Sequence, residues 1–236
     1  MKSTTRRSFL SGLAALSLPP LFGEEARRPR SAVIVVDIQG DFTEARKGSL
    51  AVAGTDEAYL RSVAEATAKF KAAGHLIFAT QDWHPADHVS FVTNHKGRKP
   101  FEVIKINGRD QVLWPAHCIQ NTKGAEILLD AGLFTKVVQK GKDRRFDSYS
   151  GFKDDGGART EKESLLREAD VREVIVYGVA TDFCVRATAL DAATAGFKVT
   201  MVRELSRGVA PDSVEKALAD LRTAGVSVVD SLPLLA

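Results

Sequence analysis

The stretch Glu173-Val174-Ile175-Val176-Tyr177-Gly178-Val179-Ala180-Thr181-Asp182-Phe183-Cys184 decides the architecture. Its first half is a continuous apolar run rich in β-branched residues, which suits a strand buried on both faces. It then turns through Gly178 and small residues into a helical pattern over 183–195. Working outward, similar runs stand at 32–37, 76–81, 136–140, 198–203 and 226–229, with 173–179 as the strand of the opening stretch. Helical patterns at 56–73, 123–131, 183–195 and 212–224 each end in Ala-Gly, and glycine just past a helix takes the left-handed conformation that caps it. A further helix over 161–169 opens with Thr160 and Glu163, a capping-box spacing. Strand and helix in alternation predict one α/β domain over 31–236, a three-layer α/β/α, doubly wound, mainly parallel six-stranded sheet. Two long connections, 83–122 and 141–158, are too long for simple turns and are assigned to a binding site.

The chain has 236 residues, 44% hydrophobic and 27% charged, which excludes disordered and collagen-like classes. With 33 basic and 30 acidic residues the net charge is only +3, and no basic run is interleaved with aromatics, so nucleic acid is not an expected partner. Two cysteines cannot build a disulfide scaffold. No apolar stretch reaches the length of a membrane helix, so stable membrane insertion is not expected. The start is different in kind. Lys2, Arg6 and Arg7 precede an apolar run over 8–18, which Pro19-Pro20 closes. A basic start and a short apolar stretch form a signal-peptide pattern, and Thr5-Arg6-Arg7-Ser8-Phe9-Leu10 resembles the bacterial twin-arginine export signal. Residues 1–30 are therefore assigned as a twin-arginine-type signal peptide and linker. This implies the twin-arginine export machinery as a partner and a periplasmic location. The alternative is a basic tail on a cytoplasmic protein.

Ligands of open α/β sheets bind at the carboxyl ends of the strands. Those ends carry Asp37, the segment Gln81-Asp82-Trp83-His84, Lys140-Gly141, and the turn to Cys184. Cys184 falls at a strand-to-helix turn, where a helix N-terminus lowers a thiol pKa and offers free N–H groups to an oxyanion. Asp37 can take or give a proton and Lys140 can stabilise a thiolate. A thiol attacking a carbonyl there gives an acyl-enzyme that water hydrolyses. Asp82 and His84, two apart in extended chain, point the same way. With His117 or His88 from the following loop they suit zinc, iron or manganese, the alternative being a solvated polar turn. Cys118 reads as a packing residue, and His75 and His95 as solvated ones.

The segments Val-Val-Asp37-Ile-Gln-Gly-Asp-Phe42, Gln-Asp82-Trp-His84-Pro-Ala-Asp-His88-Val-Ser-Phe91, Trp114-Pro-Ala-His117-Cys, Lys140-Gly with Asp147-Ser-Tyr149-Ser-Gly-Phe152, and Gly178-Val-Ala180-Thr-Asp-Phe-Cys184 come in this order. Together they resemble the nicotinamidases (pyrazinamidases) of the isochorismatase-like cysteine hydrolase superfamily. The resemblance implies the isochorismatase-like fold and an amidohydrolase acting on a linear carboxamide. The substrate would be nicotinamide, hydrolysed to nicotinate and ammonia through a cysteine thioester, an activity of NAD salvage and pyridine nucleotide biosynthesis. The alternative is a related cysteine hydrolase acting on another small amide. In these terms Cys184 is the nucleophile, Asp37 the proton acceptor, and Lys140 the stabilising cation. Asp82, His84 and His117 bind one divalent metal ion, with Zn2+ expected and Fe2+ or Mn2+ as alternatives. His88 is a fourth ligand or a residue behind the ligands. Phe42, Trp114 and Tyr149 line the flat substrate, and the N–H groups of Ala180 and Cys184 form the oxyanion hole beside a cis Val179–Ala180 peptide. Family members often self-associate, which allows a homo-oligomer.

Overall fold

The computed structural model describes Met1 and residues 30–106 and 108–235. The export-signal reading falls on 2–29, outside the described residues. Six strands form one sheet: β1 (Arg30–Val36), β2 (Leu76–Asp82), β5 (Lys136–Lys140), β6 (Val171–Gly178), β7 (Lys198–Val202) and β8 (Ser227–Val229). A separate hairpin pairs β3 (Val103–Ile106) with β4 (Arg109–Val112). The sheet order is β5-β2-β1-β6-β7-β8, and every pairing in it is parallel. The chain builds outward from β1 to β5, then returns to the other side of β1 to place β6. That reversal makes the β1/β6 boundary the topological switch point, where doubly wound sheets bind ligands. All six expected strands are present, with ends shifted by at most two residues.

The continuous apolar runs are explained by burial on both faces. Ile34 and Val36 of β1 enter one core with α2 (Lys162–Glu168), α3 (Arg186–Thr194) and α4 (Pro211–Thr223). Val33 and Val35 enter the other, with α1 (Glu57–Ala72). Each such side chain fully removed from water contributes roughly 1.5–3 kcal/mol before entropy is counted. Helix α1 is capped by Asp56, whose carboxylate accepts from Tyr59 N at 2.9 Å. It buries Tyr59, Leu60, Val63, Ala66 and Phe70 along one stripe.

Three Ala-Gly signals end helices as expected: Gly74, Gly196 and Gly225 have φ of +88°, +86° and +80°. The fourth does not, because no helix forms over 123–131. Short 3-10 turns stand at Lys123–Ala125 and Ala131–Leu133 instead. Between them the backbone pairs with the segment after β1: Gly40 N donates to Glu126 O (3.1 Å) and Leu128 N to Ile38 O (2.9 Å). A helix would withdraw these groups from that pairing, so tertiary contact overrides the helical pattern. The capping box at α2 is half made. Thr160 Oγ1 accepts from Lys162 N at 3.1 Å, whereas Glu163 turns away to Arg159 and Arg167. Among the described residues no helix is long and apolar enough to cross a membrane.

Candidate active site

At the carboxyl edge of the sheet, four strand ends meet on a buried lysine. Lys140 closes β5 and is 1% exposed. Its Nζ lies 3.0 Å from Asp37 Oδ2, 2.5 Å from Asp82 Oδ1 and 3.5 Å from Cys184 Sγ, and it donates to Ser148 O at 2.8 Å. Asp37 ends β1 with φ +50°, an uncommon conformation for a residue other than glycine and one that turns the chain sharply at the site. Its Oδ1 accepts from Thr80 Oγ1 at 2.6 Å. Oδ2, facing Lys140, has no aligned hydrogen-bond donor. Cys184 sits in a π-helical turn, Thr181–Val185, that feeds α3, and the peptide before Ala180 is cis.

The electrostatics correct one expectation. Burial pushes the Cys184 thiol well up, Lys140 opposes it, and the carboxylates of Asp37 and Asp82 add to the rise. The resting sulfur is therefore a thiol, not a thiolate, because enclosure outweighs any benefit of the helix start. Burial likewise raises Asp37, against the pull of Lys140. For Lys140 burial acts downward, but Asp37, Asp82 and Cys184 outweigh it and hold the ammonium well above its usual range. Asp82 is held low: burial pushes it up, and Lys140 with His84 more than reverse this.

Beside this cluster, Asp82, His84 and His117 offer ligand atoms that all lie within 4.8 Å of one another. His84 Nδ1 meets Gly141 O at 2.9 Å and His117 Nδ1 meets Pro115 O at 2.8 Å. A carbonyl can only accept, so each Nδ1 carries a proton and each Nε2 lone pair is left for a cation. Both Nε2 atoms face Asp82 Oδ2, at 3.4 and 4.0 Å. One carboxylate and two imidazoles so oriented fit a divalent ion with room for further ligands. His88 is excluded from this set. Its Nδ1 is bonded to Ser90 Oγ (2.8 Å) and its Nε2 to Phe146 O (3.0 Å), and its ring packs 4.3 Å from that of His84. His95 and His75, expected to be solvated, are instead tied to Val89 O and Ser31 Oγ.

Gly141 makes the His84 contact geometrically sensitive. It has φ +68°, and a Cβ there would lie 2.3 Å from His84 Cε1. Gly141→Ala is expected to displace the imidazole and weaken metal retention by about 10–100-fold, measured as metal per chain after dialysis against limiting zinc.

A cleft opens over both groups. Phe42, Trp114 and Tyr149 line it as expected, and Leu50, Val52, Phe183 and Val209 complete an apolar wall. Trp114 meets Phe183 edge-on at 4.9 Å and donates from Nε1 to Tyr149 Oη at 3.1 Å, which fixes the aromatic surface. Asp82, His117, Ala180 and Cys184 also line the cleft. Several supports were not singled out from the sequence. Gln39 clamps Asp82 through both backbone atoms, at 2.9 and 2.8 Å. Asp182 accepts from Val209 N and Ser213 Oγ and so fastens the Cys184 turn to α4. Thr80 has a legible signal: two residues before Asp82 in a strand, it shares that residue's face.

A parallel sheet with a thiol, an ammonium and two carboxylates buried at its switch point defines a hydrolase of the doubly wound α/β class. The chain belongs to the isochorismatase family, whose Isochorismatase domain model matches residues 31–232. It is 36% identical over 208 residues to the nicotinamidase of Acinetobacter baylyi, covering 86% of this chain and 94% of that protein. Among solved structures, an Acinetobacter baumanii nicotinamidase/pyrazinamidase superposes with a TM-score of 0.79 at 37% identity, covering 86% of this chain and 97% of that one. The pyrazinamidase of Pyrococcus horikoshii in complex with zinc gives a TM-score of 0.72 at 37% identity, covering 86% and 100%.

Proposed function

We propose that this chain hydrolyses nicotinamide to nicotinate and ammonia through a thioester on Cys184. The observation that carries the reading is the contact of one buried ammonium with a thiol and two carboxylates beside an aromatic cleft. The two Acinetobacter relatives named above are nicotinamidases, which supplies the substrate.

Phe42, Trp114, Tyr149 and Phe183 line the cleft, and ring stacking there holds a pyridine with its carboxamide toward Cys184. Asp37 Oδ2, without an aligned donor of its own, takes the thiol proton as sulfur attacks the carboxamide carbon. Lys140 stabilises the sulfur and keeps Asp37 oriented. The N–H groups of Ala180 and Cys184 receive the developing oxyanion. Asp37 returns its proton to the amide nitrogen, the C–N bond breaks and ammonia leaves. Water then attacks the thioester with Asp37 as base. The C–S bond breaks, nicotinate is released and the sulfur regains its proton. Asp82, His84 and His117 would hold one divalent ion, which when bound offers a Lewis-acidic point for the pyridine nitrogen.

Purified protein should release ammonia from nicotinamide. Chelation is expected to lower the rate, and Zn2+, Fe2+ or Mn2+ to restore it. No release from metal-loaded protein, with release from another small aromatic carboxamide, would replace the substrate and keep the chemistry.

A further inference from the structure

Lys162 is a buried lysine that the reaction above does not use. It stands in the first turn of α2 with no exposed surface, its Nζ 5.1 Å from the centre of the Phe78 ring. The ammonium donates to Ala79 O at 3.2 Å. Among the described residues no carboxylate pairs with it directly, although an unpaired buried ammonium is a stability liability that an apolar side chain of equal length would remove. The position of that hydrogen bond is informative. Ala79 O precedes Thr80 in β2, and Thr80 Oγ1 donates to Asp37 Oδ1 at 2.6 Å. Phe78, Thr80 and Asp82 share one face of β2, the face that meets α2. Lys162 thus lies against the β2 segment whose Thr80 holds the proton acceptor, Asp37.

We infer that Lys162 is a positioning residue for Asp37: it anchors the Ala79–Thr80 segment against that carboxylate, and its positive charge favours the ionised form of Asp37. The inference rests on the nicotinamidase reading for Asp37 as the base.

The charges facing each partner are few. Lys162 is faced by Asp37 from the end of β1 and by Glu161 beside it. Asp37 is faced by Lys140 of β5, Asp82 of β2 and Cys184 of the turn after β6. Burial brings the Lys162 ammonium down to about 7, with Asp37 and Glu161 acting the other way. Coupling of this kind is reciprocal: as Asp37 favours the Lys162 charge, the Lys162 charge favours ionised Asp37. The effect is switched on by acid. Below about pH 7 Lys162 is charged and assists Asp37, whereas well above it the lysine is neutral and the assistance is gone.

The test compares wild type with Lys162→Met in ammonia release from nicotinamide across pH. The variant's kcat/KM, divided by that of wild type, should be constant near pH 8 and fall by about threefold toward pH 5.5, a shift of roughly half a pH unit in the acid limb. Thermal stability should move the opposite way. Folded Lys162 titrates below the unfolded value, so wild type is penalised most at low pH, and Lys162→Met should gain more in Tm at about pH 6 than at about pH 9. A ratio of kcat/KM that is the same at both ends of the pH range overturns the inference, since a merely structural loss scales all rates alike. Should Lys162→Met not fold, Lys162→Gln, a donor without charge, is read in the same way. Alkylation of Cys184 by iodoacetamide, followed by peptide mass, reads the same coupling without any substrate: ionised Asp37 holds the thiol up, so the variant's rate divided by that of wild type should rise from about pH 8 toward about pH 5.5. A wild type that releases no ammonia therefore counts against the nicotinamidase reading alone, and a flat alkylation ratio counts against Lys162.

Discussion

Cys184→Ala is expected to lower ammonia release from nicotinamide by about 10⁴-fold or more while leaving the fold and the metal content intact. The size of the effect follows from the geometry. The sulfur is the one thiol in contact with Lys140 among the described residues, and its proton has a waiting acceptor in Asp37. Removing it leaves the cleft, the aromatic wall and the three metal-facing side chains in place, so binding survives and the covalent step does not. Stability should change by only about 1 kcal/mol, because Cys184 is a small buried side chain and alanine retains its Cβ. The measurement pairs the rate with nicotinamide affinity. Lost turnover with retained affinity fits a thioester route. Activity within tenfold of wild type would mean that hydrolysis does not pass through the thiol.

Much of this site was legible because parallel strands are. A strand buried on both faces reads as an unbroken apolar run, and its last residue falls at the ligand-binding edge whatever the details of packing. Asp37, Asp82, Lys140 and Cys184 were each recognisable as strand-end or turn residues, and the sheet order alone brings them together. What failed depended on partners far along the chain. The helical pattern over 123–131 lost to pairing with Ile38 and Gly40, which no local window contains. The thiol was expected low because it begins a helix, but enclosure by the surrounding elements decides its proton, and enclosure has no sequence signature. The β3–β4 hairpin was missed despite a signal. In the sequence Asn107-Gly108 follows Val103-Ile-Lys-Ile106 and is a two-residue turn pattern that the length of the connection obscured.

Lys140→Met is expected to cost about 3–5 kcal/mol of stability and to abolish activity, and the pH dependence separates its charge from its packing. The methionine fills nearly the same volume, so little cavity forms. What it removes is the only cation in contact with Asp37 and Asp82 among the described residues, at 3.0 and 2.5 Å. In wild type the folded Asp82 is held below its unfolded value. Its contribution to stability is therefore present above the unfolded carboxylate range and lost as pH falls through the folded value. Lys140, raised in the fold, contributes fully below the unfolded lysine value and loses that contribution only as pH rises through its own. Between these limits, at neutral pH, both terms are in force; the substitution removes the Lys140 term and leaves of the Asp82 term only what His84 and His117 supply. In the variant the ammonium no longer opposes the burial of Asp37, so that carboxyl, already raised, rises further and binds its proton more tightly in the folded state than in the unfolded one, while His84 and His117 still draw Asp82 down. Its stability then increases as pH falls from about 7 toward 5, the reverse of the Asp82 contribution in wild type. Urea unfolding of both proteins at about pH 5 and pH 8 reads this directly, with the larger deficit expected at pH 8. An equal deficit at both would assign the loss to packing around the lysine stem and withdraw the ammonium from its role in holding the two carboxylates together.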